Sequence, residues 1–275
     1  MRRIWFITGA GRGFGWEFAK AALERGDAVA ATMRDVRSLD DLVQRHGDAV
    51  LPLGLDVTDR EKVFAAVARA KDTFGRLDIV VNNAGYGLFG MVEEITEQQL
   101  RDQLEVNLFG VLHVTQAVLP ILREQGAGHI VQISTIGGVA AFPGLGGYHA
   151  SKWALEGLSE SLAQEVAPFG IKVTLVEPGP FATDWSGSSA VHAEALPPYD
   201  VIRKAGAKQA KNRPGNLNGD PAAAGAALLK VVDAEEPPLR VLFGTLPTMI
   251  APSLYAQRLE TWDAWKPVSI EANGH

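Results

Sequence analysis

The chain has 275 residues and a mass of 29.4 kDa, enough for one large α/β domain whose core needs no disulfide or metal. Hydrophobic residues make up 47% and charged residues 21% of the sequence, which excludes a disordered chain. The 26 Lys and Arg against 32 Asp and Glu give a net charge of −6, which argues against a nucleic-acid partner, and the absence of cysteine excludes thiolate chemistry.

The N-terminus indicates a first strand rather than a targeting segment. Arg2 and Arg3 precede the apolar run Ile4–Ile7, which is too short for the hydrophobic part of a signal peptide and leads directly into glycines. No stretch of 18 uninterrupted apolar residues is present, so the sequence predicts no membrane span. We therefore expect a cytoplasmic protein without a membrane partner.

Strand and helix patterns alternate along the chain. The predicted strands are Ile4–Thr8, Ala28–Met33, Val50–Leu55, Leu77–Val81, His129–Ser134, Lys172–Glu177 and Arg240–Phe243. The predicted helices are Phe14–Arg25, Arg60–Phe74, Thr96–Leu119, Ala150–Ala167 and Pro221–Val232. Continuous apolarity is typical of parallel strands that are covered on both faces. The alternation predicts an α/β fold with a doubly wound parallel sheet, in a single domain over residues 1–275.

Local signals mark the ends of these elements. Thr96 and Gln99 have the spacing of a capping box at a helix start, and Pro120 is predicted to end the same helix. Beyond the sixth strand the pattern loosens, and residues 179–219 are rich in Gly, Ser, Pro and Asn. This composition predicts an irregular substrate-binding lid, followed over residues 220–275 by a helix, the last strand and a tail rich in Trp and Tyr.

A glycine-rich turn follows the first strand and precedes the first helix, and from Thr8 it reads TGAGRGFG. Glycines allow a tight turn and a close approach of the backbone to a phosphate, and the helix N-terminus directs N–H groups toward it. This placement predicts that the turn binds the pyrophosphate of a dinucleotide. The predicted binding residues of the turn are Gly9, Gly11, Arg12, Gly13, Phe14 and Gly15.

The end of the second strand indicates which dinucleotide binds. Proteins that bind NAD usually place an acid there for the ribose 2′-hydroxyl, whereas here Met33 is followed by Arg34. Asp35 lies one residue further and is the alternative for that acid. Arg34 stands where the strand leaves the sheet, and together with Arg12 it suits a 2′-phosphate, so the sequence favours NADP(H).

Two further strand ends supply candidate contacts to the cofactor. Asp56 and Val57 follow the third strand and suit an adenine contact. Asn83, Ala84 and Gly85 follow the fourth strand, where amides and a glycine can join neighbouring loops and pack against the cofactor.

A tyrosine and a lysine one helical turn apart carry the predicted chemistry. Tyr148 and Lys152 stand at i and i+4 where the helix after the fifth strand begins, and this spacing places both on one face. A phenol has a pKa of about 10, but a neighbouring ammonium group stabilises the phenolate and lowers that pKa. The pair predicts acid–base catalysis at an alcohol or carbonyl oxygen.

With these motifs the chain resembles the short-chain dehydrogenase/reductase family from about residue 3 to 185. The matching segments are Thr8–Gly15, Asn82–Gly85, Asn107 in Asn-Leu-Phe-Gly, Tyr148 with Lys152, and Pro178-Gly179 with Thr183. The resemblance implies a Rossmann fold, with further cofactor contacts from Pro178, Gly179, Phe181 and Thr183. The stretch Ala31–Arg34 and Trp153 resemble the branch that includes 17-beta-hydroxysteroid and retinol dehydrogenases.

The resemblance also assigns roles to the predicted catalytic residues. Tyr148 delivers or takes the proton at the substrate oxygen, and Lys152 holds the nicotinamide ribose besides lowering the pKa of the tyrosine. Asn107 holds a water that links Lys152 to solvent. From the residue alone, Asn107 could instead be an exposed helix residue.

Two positions depart from the family pattern. The catalytic serine usually stands 13 residues before the tyrosine, and Thr135 occupies that place, with Ser134 beside it. We expect Thr135 rather than Ser134 to polarise the substrate oxygen, because threonine keeps the hydroxyl group. Gly11 stands where many NADP-dependent members have a serine, so one hydrogen bond to the cofactor is expected to be missing.

The sequence therefore predicts an NADP(H)-dependent oxidoreductase that interconverts a ketone or aldehyde and an alcohol on an apolar small molecule. A non-catalytic NADP(H)-sensing protein is the alternative from a different class, and an epimerase, isomerase or dehalogenase on the same scaffold is a third hypothesis. Intact Tyr148, Lys152 and Asn107 favour an enzyme over a sensor.

Two expectations concern metals and assembly. His113 and His149 have no partners at ligand spacing, so no metal site is expected. Helices Thr96–Leu119 and Ala150–Ala167 are apolar on more than one face, which predicts burial against the sheet and against a partner. The resemblance implies a homodimer or homotetramer that is built through these helices.

Overall fold

Seven parallel strands form the central sheet in a computed structural model that describes residues 2–187, 189–212, 214 and 217–274. The strands of this sheet are β1 (Ile4–Thr8), β2 (Ala28–Met33), β3 (Val50–Gly54), β4 (Ile79–Asn82), β6 (Gly128–Ile133), β7 (Ile171–Pro178) and β9 (Arg240–Phe243). A separate parallel pair consists of β5 (Leu88–Phe89) and β8 (Val191–His192). The central order, β3-β2-β1-β4-β6-β7-β9, confirms the predicted doubly wound sheet. The chain order reverses between β1 and β4, where such sheets bind ligands at their carboxyl edge.

Helices cover both faces of the sheet. They are α1 (Gly13–Glu24), α2 (Asp40–His46), α3 (Arg60–Phe74), α4 (Glu97–Leu104), α5 (Gly110–Gln125), α6 (Gly146–Val166), α7 (Asp200–Lys211), α8 (Pro221–Asp233), α9 (Thr245–Ala264) and α10 (Lys266–Glu271). One core layer lies beneath α3, α5 and α6, and the other beneath α1, α2 and α8.

The two layers share the sheet through the alternation of side chains along each strand. In β1, Ile4 and Phe6 belong to the layer of α3 and α5, whereas Trp5 and Ile7 belong to the layer of α1 and α8. All four residues are buried. Successive residues thus face opposite layers that both exclude water, which explains the uninterrupted apolar runs of the sequence.

Pro120 does not end its helix. Helix α5 continues to Gln125 and ends at Gly126, which has a left-handed conformation with φ of +65°. Pro120 lies on the exposed side of α5, near exposed Gln116. The carbonyl of Gln116 lacks a helical partner because proline has no N–H, but on this side water can replace that partner. The predicted helix end at Pro120 is therefore wrong.

The same helical segment begins at the predicted capping box. Thr96 Oγ1 accepts a hydrogen bond from the Gln99 backbone N–H at 3.1 Å, and Gln99 Oε1 accepts one from the Thr96 backbone N–H at 2.9 Å. By length and hydropathy, Glu97–Gln125 is the segment among the described residues that resembles a membrane span. Here α5 packs against α3, and α4 packs against α6, as core helices do.

The C-terminal part of the chain is more regular than its sequence indicates. The predicted lid, residues 179–219, contains β8 and the 12-residue helix α7, so the expectation of an irregular segment is wrong. The positions of this segment outside the described residues are Ser188, Arg213, Gly215 and Asn216. None of the described residues of α7 is buried, so no core-facing apolar run marks this helix in the sequence. Helices α2, α9 and α10 also lacked a prediction.

Candidate active site

A large cavity of about 1980 Å³ opens at the carboxyl edge of the sheet. The predicted cofactor-binding residues all line it except Gly11 and Gly15. The predicted catalytic residues that line it are Tyr148, Lys152, Thr135 and Ser134. The fold thus gathers motifs that are far apart in the sequence around one space.

The glycine turn has a shape that other residues do not allow. Gly9 and Gly13 have φ of +67° and +55°, in the left-handed region that favours glycine. A Cβ at Gly15 would overlap the Gly9 carbonyl oxygen and the side-chain amide of Asn83. Helix α1 begins at Gly13, on the cavity wall, so the unpaired N–H groups of its first turn are available to an anion.

Thr8 and Asn83 join the glycine turn to the end of β4. Thr8 Oγ1 accepts hydrogen bonds from the backbone N–H groups of Asn83 and Ala84, both at 3.0 Å. The Asn83 amide donates to the carbonyl oxygens of Thr8 at 2.9 Å and of Gly9 at 3.1 Å. These bonds fix the two loops relative to each other, which is the linking role that the sequence suggests for this segment.

Gly11 lies behind the cavity wall, against Ser38. A Cβ at Gly11 would overlap Ser38 Oγ and approach the Met33 side chain to 3.0 Å. Ser38 Oγ itself donates to the Asp35 carbonyl oxygen at 2.8 Å. A serine at position 11 would therefore displace this turn, which gives the departure from the family pattern a structural reason.

Arg12 and Arg34 both line the cavity, and Arg34 does so just after the end of β2. Arg34 is exposed, and Arg12 lies 3.8 Å from the Asp184 carboxylate. Asp35, the alternative acid, is bound by Arg37, whose guanidinium donates to both carboxylate oxygens at 2.9 and 2.8 Å. The geometry favours Arg34 over Asp35 as a contact for the ribose.

Asp56 and Val57 form the turn after β3. Asp56 Oδ1 accepts hydrogen bonds from the Thr58 backbone N–H at 3.0 Å and from the Thr58 hydroxyl at 2.8 Å. The Val57 carbonyl oxygen lies 3.2 Å from His113 Nδ1, and its side chain fills the space above Gly110. The turn is thereby fixed at the cavity wall.

Tyr148 lies in the first turn of α6, which begins at Gly146 rather than at the predicted Ala150. The residue is 6% exposed. Burial raises the pKa of Tyr148 above its usual value, and a hydrogen bond with Thr135 opposes the shift only in part. The phenol therefore holds its proton at neutral pH.

Lys152 is on the same side of α6 as Tyr148, but its ammonium group extends beyond the Tyr148 ring to the end of β6. Nζ donates to the Ile133 carbonyl oxygen at 2.8 Å and lies 5.9 Å from the centroid of the Tyr148 ring. Burial lowers the pKa of Lys152 to about 8, and the charge of Glu156 opposes that shift. The pKa of Tyr148 is therefore raised rather than lowered as predicted, because burial of the phenol dominates.

Ser134 and Thr135 face in different directions. Ser134 Oγ donates to Oε1 of buried Glu156 at 2.5 Å. Thr135 forms the hydrogen bond with Tyr148, and its Oγ1 also lies 3.3 Å from the Pro178 carbonyl oxygen. This arrangement favours Thr135 as the hydroxyl next to a substrate oxygen.

Asn107 is fully buried, so the alternative of an exposed helix residue is wrong. It lies in a π-helical turn, Glu105–Phe109, between α4 and α5, and such turns are frequent at functional sites. Its Nδ2 donates to the Tyr86 carbonyl oxygen at 3.1 Å and to Ser151 Oγ at 3.2 Å. Ser151 Oγ donates to the Tyr148 carbonyl oxygen at 2.7 Å. Asn107 thus joins the loop after β4 to the catalytic helix from outside the cavity wall.

An aromatic wall stands beside Tyr148. The Trp185 ring lies 4.9 Å from the Tyr148 ring and 5.1 Å from the Phe89 ring, and His192 stacks on Phe89 at 4.9 Å. Pairing of β5 with β8 brings these side chains together. The sequence gives no indication of Phe89 or His192, because strands of two residues carry no period.

Glu94, which follows β5, binds the lid formed by residues 179–219. Its side chain is 2% exposed, and its two oxygens accept hydrogen bonds from the backbone N–H groups of Leu196 and Met91, both at 2.8 Å. Arg203 of α7 donates to the same carboxylate at 2.5 Å. The Leu196 and Met91 N–H groups, and then Arg203, lower the pKa of Glu94 to about 2. The carboxylate is therefore charged at neutral pH.

His113 and His149, the two histidines considered as metal ligands, contact main-chain groups. His149 Nε2 accepts a hydrogen bond from the Phe142 backbone N–H at 3.1 Å, and His113 contacts Val57 as described above. Within the described parts of the chain, no group of three or more His, Cys, Asp or Glu side chains has a metal-binding arrangement.

Comparison with known proteins places the chain in a family. The model of the short chain dehydrogenases matches residues 3–193, and the chain belongs to this family. It is 46% identical over 245 residues to the oxidoreductase BOA17 of Botryotinia fuckeliana, covering 89% of each chain. The crystal structure of a short-chain dehydrogenase from Streptomyces avermitilis has a TM-score of 0.91 at 40% identity, covering 98% of each chain. The chain is thus an oxidoreductase with a Rossmann fold, as the sequence predicts.

Two further solved structures contain a cofactor. A short chain dehydrogenase from Burkholderia cenocepacia, solved with NADP, has a TM-score of 0.76 at 29% identity and covers 96% of this chain and 97% of its own. A family member from Burkholderia phymatum, solved with NAD, has a TM-score of 0.75 at 26% identity, with 88% of each chain covered. These neighbours support a nicotinamide cofactor, either NADP or NAD.

Proposed function

We propose that the protein is an NADP(H)-dependent oxidoreductase that interconverts a ketone or aldehyde and an alcohol on an apolar small molecule. One observation carries the proposal. Arg34, just after β2, lines the same cavity as Tyr148, Thr135 and Lys152, which lie on the other side of β1 and β4. A dinucleotide with its phosphates at the glycine turn would extend along the strand ends between these two groups.

The residues of the cavity fit such a cofactor. Gly9 and Gly13 have the left-handed conformations of a phosphate-binding turn, and side chains at Gly15 and Gly85 would meet Gly9 and Asn107. We assign the pyrophosphate to the glycine turn and the first turn of α1. NADP(H), when bound, supplies or accepts the hydride of the reaction.

NADP(H) is favoured over NAD(H) by the charges at the end of β2. Arg34 borders that end of the cavity and Arg12 also lines the cavity, whereas Asp35 is bound to Arg37 and does not line it. Guanidinium groups form strong charge-assisted hydrogen bonds with a phosphate dianion. A ribose 2′-hydroxyl at this place would meet the Arg34 guanidinium instead of an acid, because the Asp35 carboxylate is bound to Arg37.

The catalytic side chains are arranged for proton transfer at an oxygen atom. The raised pKa of Tyr148 keeps the phenol protonated at neutral pH, which suits donation of a proton to a carbonyl oxygen during reduction. Thr135, bonded to that phenol, holds the same oxygen. Lys152 binds the nicotinamide ribose and offsets charge that develops on the tyrosine.

The wall of the cavity beside Tyr148 is apolar. Trp185 and Phe89 stand beside Tyr148, and Phe142, Leu246 and Ile250 continue the wall toward α9. Such a wall stabilises a substrate with an apolar body through burial of its surface.

Steady-state oxidation of NADPH with a panel of ketones and aldehydes tests the proposal. We expect turnover with apolar carbonyl compounds, and none with polar ones of similar size. Tight binding of NADPH without turnover of any carbonyl or alcohol would favour the NADP(H)-sensing alternative. Conversion of a substrate to its isomer without net oxidation of NADPH would favour the third hypothesis, an epimerase or isomerase on the same scaffold.

We also propose a homodimer or homotetramer built through α5 and α6. Phe109 is 41% exposed just before α5, and Trp153 and Leu158 are 42% and 36% exposed on α6. Burial of such side chains against a second copy stabilises an assembly. Light scattering at micromolar concentration should give at least twice the 29.4 kDa of the chain. A monomeric mass would contradict this assembly.

A further inference from the structure

A buried group of charged side chains lies directly behind the catalytic residues. Glu156 stands one helical turn after Lys152 on α6, and its side chain is 7% exposed. Its Oε1 accepts the hydrogen bond from Ser134 at 2.5 Å, and its Oε2 accepts one from Arg240 Nε at 3.0 Å. Arg240, on β9, also donates to Glu160 at the surface at 2.7 Å. The network therefore runs from the loop after β6 to solvent.

The fold keeps space for the bond between Ser134 and Glu156. A Cβ at Gly138 would lie 2.5 Å from Ser134 Oγ and 2.9 Å from Glu156 Oε1, so any side chain there would separate the two groups. The Ser134 backbone N–H also donates to the Val176 carbonyl oxygen at 2.8 Å. Ser134, held at its N–H and at its side chain, fixes the main chain from which the next residue, Thr135, leaves. The Thr135 hydroxyl then accepts from the Gly137 N–H at 3.2 Å and donates to the Pro178 carbonyl oxygen at 3.3 Å.

Glu156 also acts on the charge of Lys152. Burial alone disfavours the ammonium form, and the negative charge of Glu156 is what opposes this effect. Glu177, on β7, lies 3.5 Å from Arg240 Nε, and burial, followed by the charge of Glu156, raises its pKa to about 7. Glu177 thus takes up a proton near neutral pH, which leaves Glu156 as the carboxylate that supports the lysine.

We propose that Glu156 is a positioning residue of the reaction, which orients Thr135 through Ser134 and keeps Lys152 in its ammonium form. This inference rests on the proposed function, because only a reaction at Tyr148 gives Thr135 and Lys152 a catalytic role. Glu156 itself does not line the cavity, so it acts through its neighbours.

The pH dependence of kcat/KM for carbonyl reduction by NADPH tests the effect of charge. In the wild type we expect activity to fall on the alkaline side near pH 8, as Lys152 loses its proton. Glu156→Gln removes the charge and keeps the shape, so this alkaline limb should move to lower pH by about 0.5 unit or more. Glu160→Gln is the matched control. It removes a carboxylate of the same helix that binds the same arginine but does not contact Ser134, and its alkaline limb should coincide with that of the wild type.

Two variants test the positioning of Thr135 separately. Glu156→Asp keeps the charge but withdraws the carboxylate from Ser134, and Ser134→Ala removes the hydrogen bond and leaves Glu156 in place. In both, kcat should fall about tenfold or more while the alkaline limb stays, because small displacements of a catalytic group cost much of the rate. If Glu156 were purely structural, its substitutions would lower thermal stability. They would not lower kcat in one variant and shift the alkaline limb in another.

The outcomes distinguish this inference from the proposed function. An unchanged alkaline limb in Glu156→Gln overturns the charge effect, and wild-type kcat in both Glu156→Asp and Ser134→Ala overturns the positioning effect. If Glu156→Gln does not fold, Ser134→Ala still tests the positioning effect, because it leaves Glu156 and its bond to Arg240 in place. Absence of carbonyl reduction in the wild type would contradict the proposed function itself, before any variant is measured.

Discussion

The cofactor side and the substrate side of the cavity are built in different ways. On the cofactor side, the side chains of Thr8 and Asn83 bond to the main chain of the neighbouring loop, and the loops leave directly from paired strands. On the substrate side, α7 has no buried residue among those described. It is held by the carboxylate of Glu94 and by the two-residue pairing of β5 with β8.

This difference indicates how the two sides respond to change. Loops fixed by main-chain hydrogen bonds at a sheet edge keep their geometry when a surface side chain is replaced. A segment with few buried contacts opens at low free-energy cost, which suits a binding loop. We therefore expect variants on the cofactor side to alter chemistry or cofactor choice, and variants on the substrate side to alter KM and local exchange.

The largest effect is expected at Tyr148. Tyr148→Phe removes one oxygen and keeps the buried ring, so kcat should fall about 10²–10⁴-fold, the usual contribution of general acid–base catalysis. The ring should still pack 4.9 Å from that of Trp185, so NADPH affinity and thermal stability should remain close to the wild type. A kcat near the wild-type value would make the tyrosine structural and the proposed mechanism wrong.

A pair of substitutions at Thr135 gives the next largest effect. Thr135→Val removes the hydroxyl that bonds to Tyr148, and kcat should fall about 10²-fold, as for loss of a donor to a reacting oxygen. Thr135→Ser keeps the hydroxyl and serves as the control, with kcat within about threefold of the wild type. If both variants were equally impaired, the methyl group rather than the hydroxyl would matter.

Substitution of Arg34 tests the cofactor side and leaves the catalytic residues unchanged. A charge-assisted hydrogen bond contributes about 1.5–3 kcal/mol, so Arg34→Ala should lower kcat/KM for NADPH about tenfold or more and leave that for NADH nearly unchanged. Arg37→Ala is the control, because that guanidinium binds Asp35 instead. Equal losses with both cofactors would refute a specific role for Arg34 at the 2′-phosphate.

The sequence predicts most of the cofactor side, because its requirements are local. The glycine turn needs φ values that only glycine adopts easily, as at Gly9, and a strand buried on both faces needs the apolar run that β1 shows. The i and i+4 spacing of Tyr148 and Lys152 correctly places both on one side of α6. The spacing does not reveal that Tyr148 is buried, and this burial raises the pKa of its phenol although Lys152 is near.

The rest depends on contacts between distant segments. Ser38 excludes a side chain at Gly11, and Trp185 reaches Tyr148 through a strand pair that is too short to have a pattern. Helix α7 has no buried face to mark it, and Pro120 is tolerated only because its side of α5 meets solvent. None of these facts is encoded within a single segment, so a sequence pattern cannot supply them.

The smallest effect on turnover, and the most direct test of the substrate side, is expected at Glu94. Glu94→Gln converts one oxygen into an NH₂ group that faces a donor, and it removes the charge opposite Arg203. We expect KM for the carbonyl substrate to rise several-fold while kcat changes little, because a lid that is docked less often reduces the competent population. Glu97→Gln is the control and should keep the wild-type KM, since Glu97 binds Arg101 within α4 at 2.8 Å rather than a residue of the lid.

The pH dependence of lid docking follows from the same carboxylate. The pKa of Glu94 is about 2 in the folded chain against 4.5 when unperturbed, so its contribution to docking is complete above about pH 4.5 and is lost as the pH falls toward 2. Hydrogen exchange in α7 should therefore accelerate over this range in the wild type. In Glu94→Gln it should already be fast at pH 7, after correction for intrinsic rates. Residues 179–219 should also gain protection when NADP(H) binds, whereas strong protection without ligand in both proteins would mean that this segment is a fixed wall and not a lid.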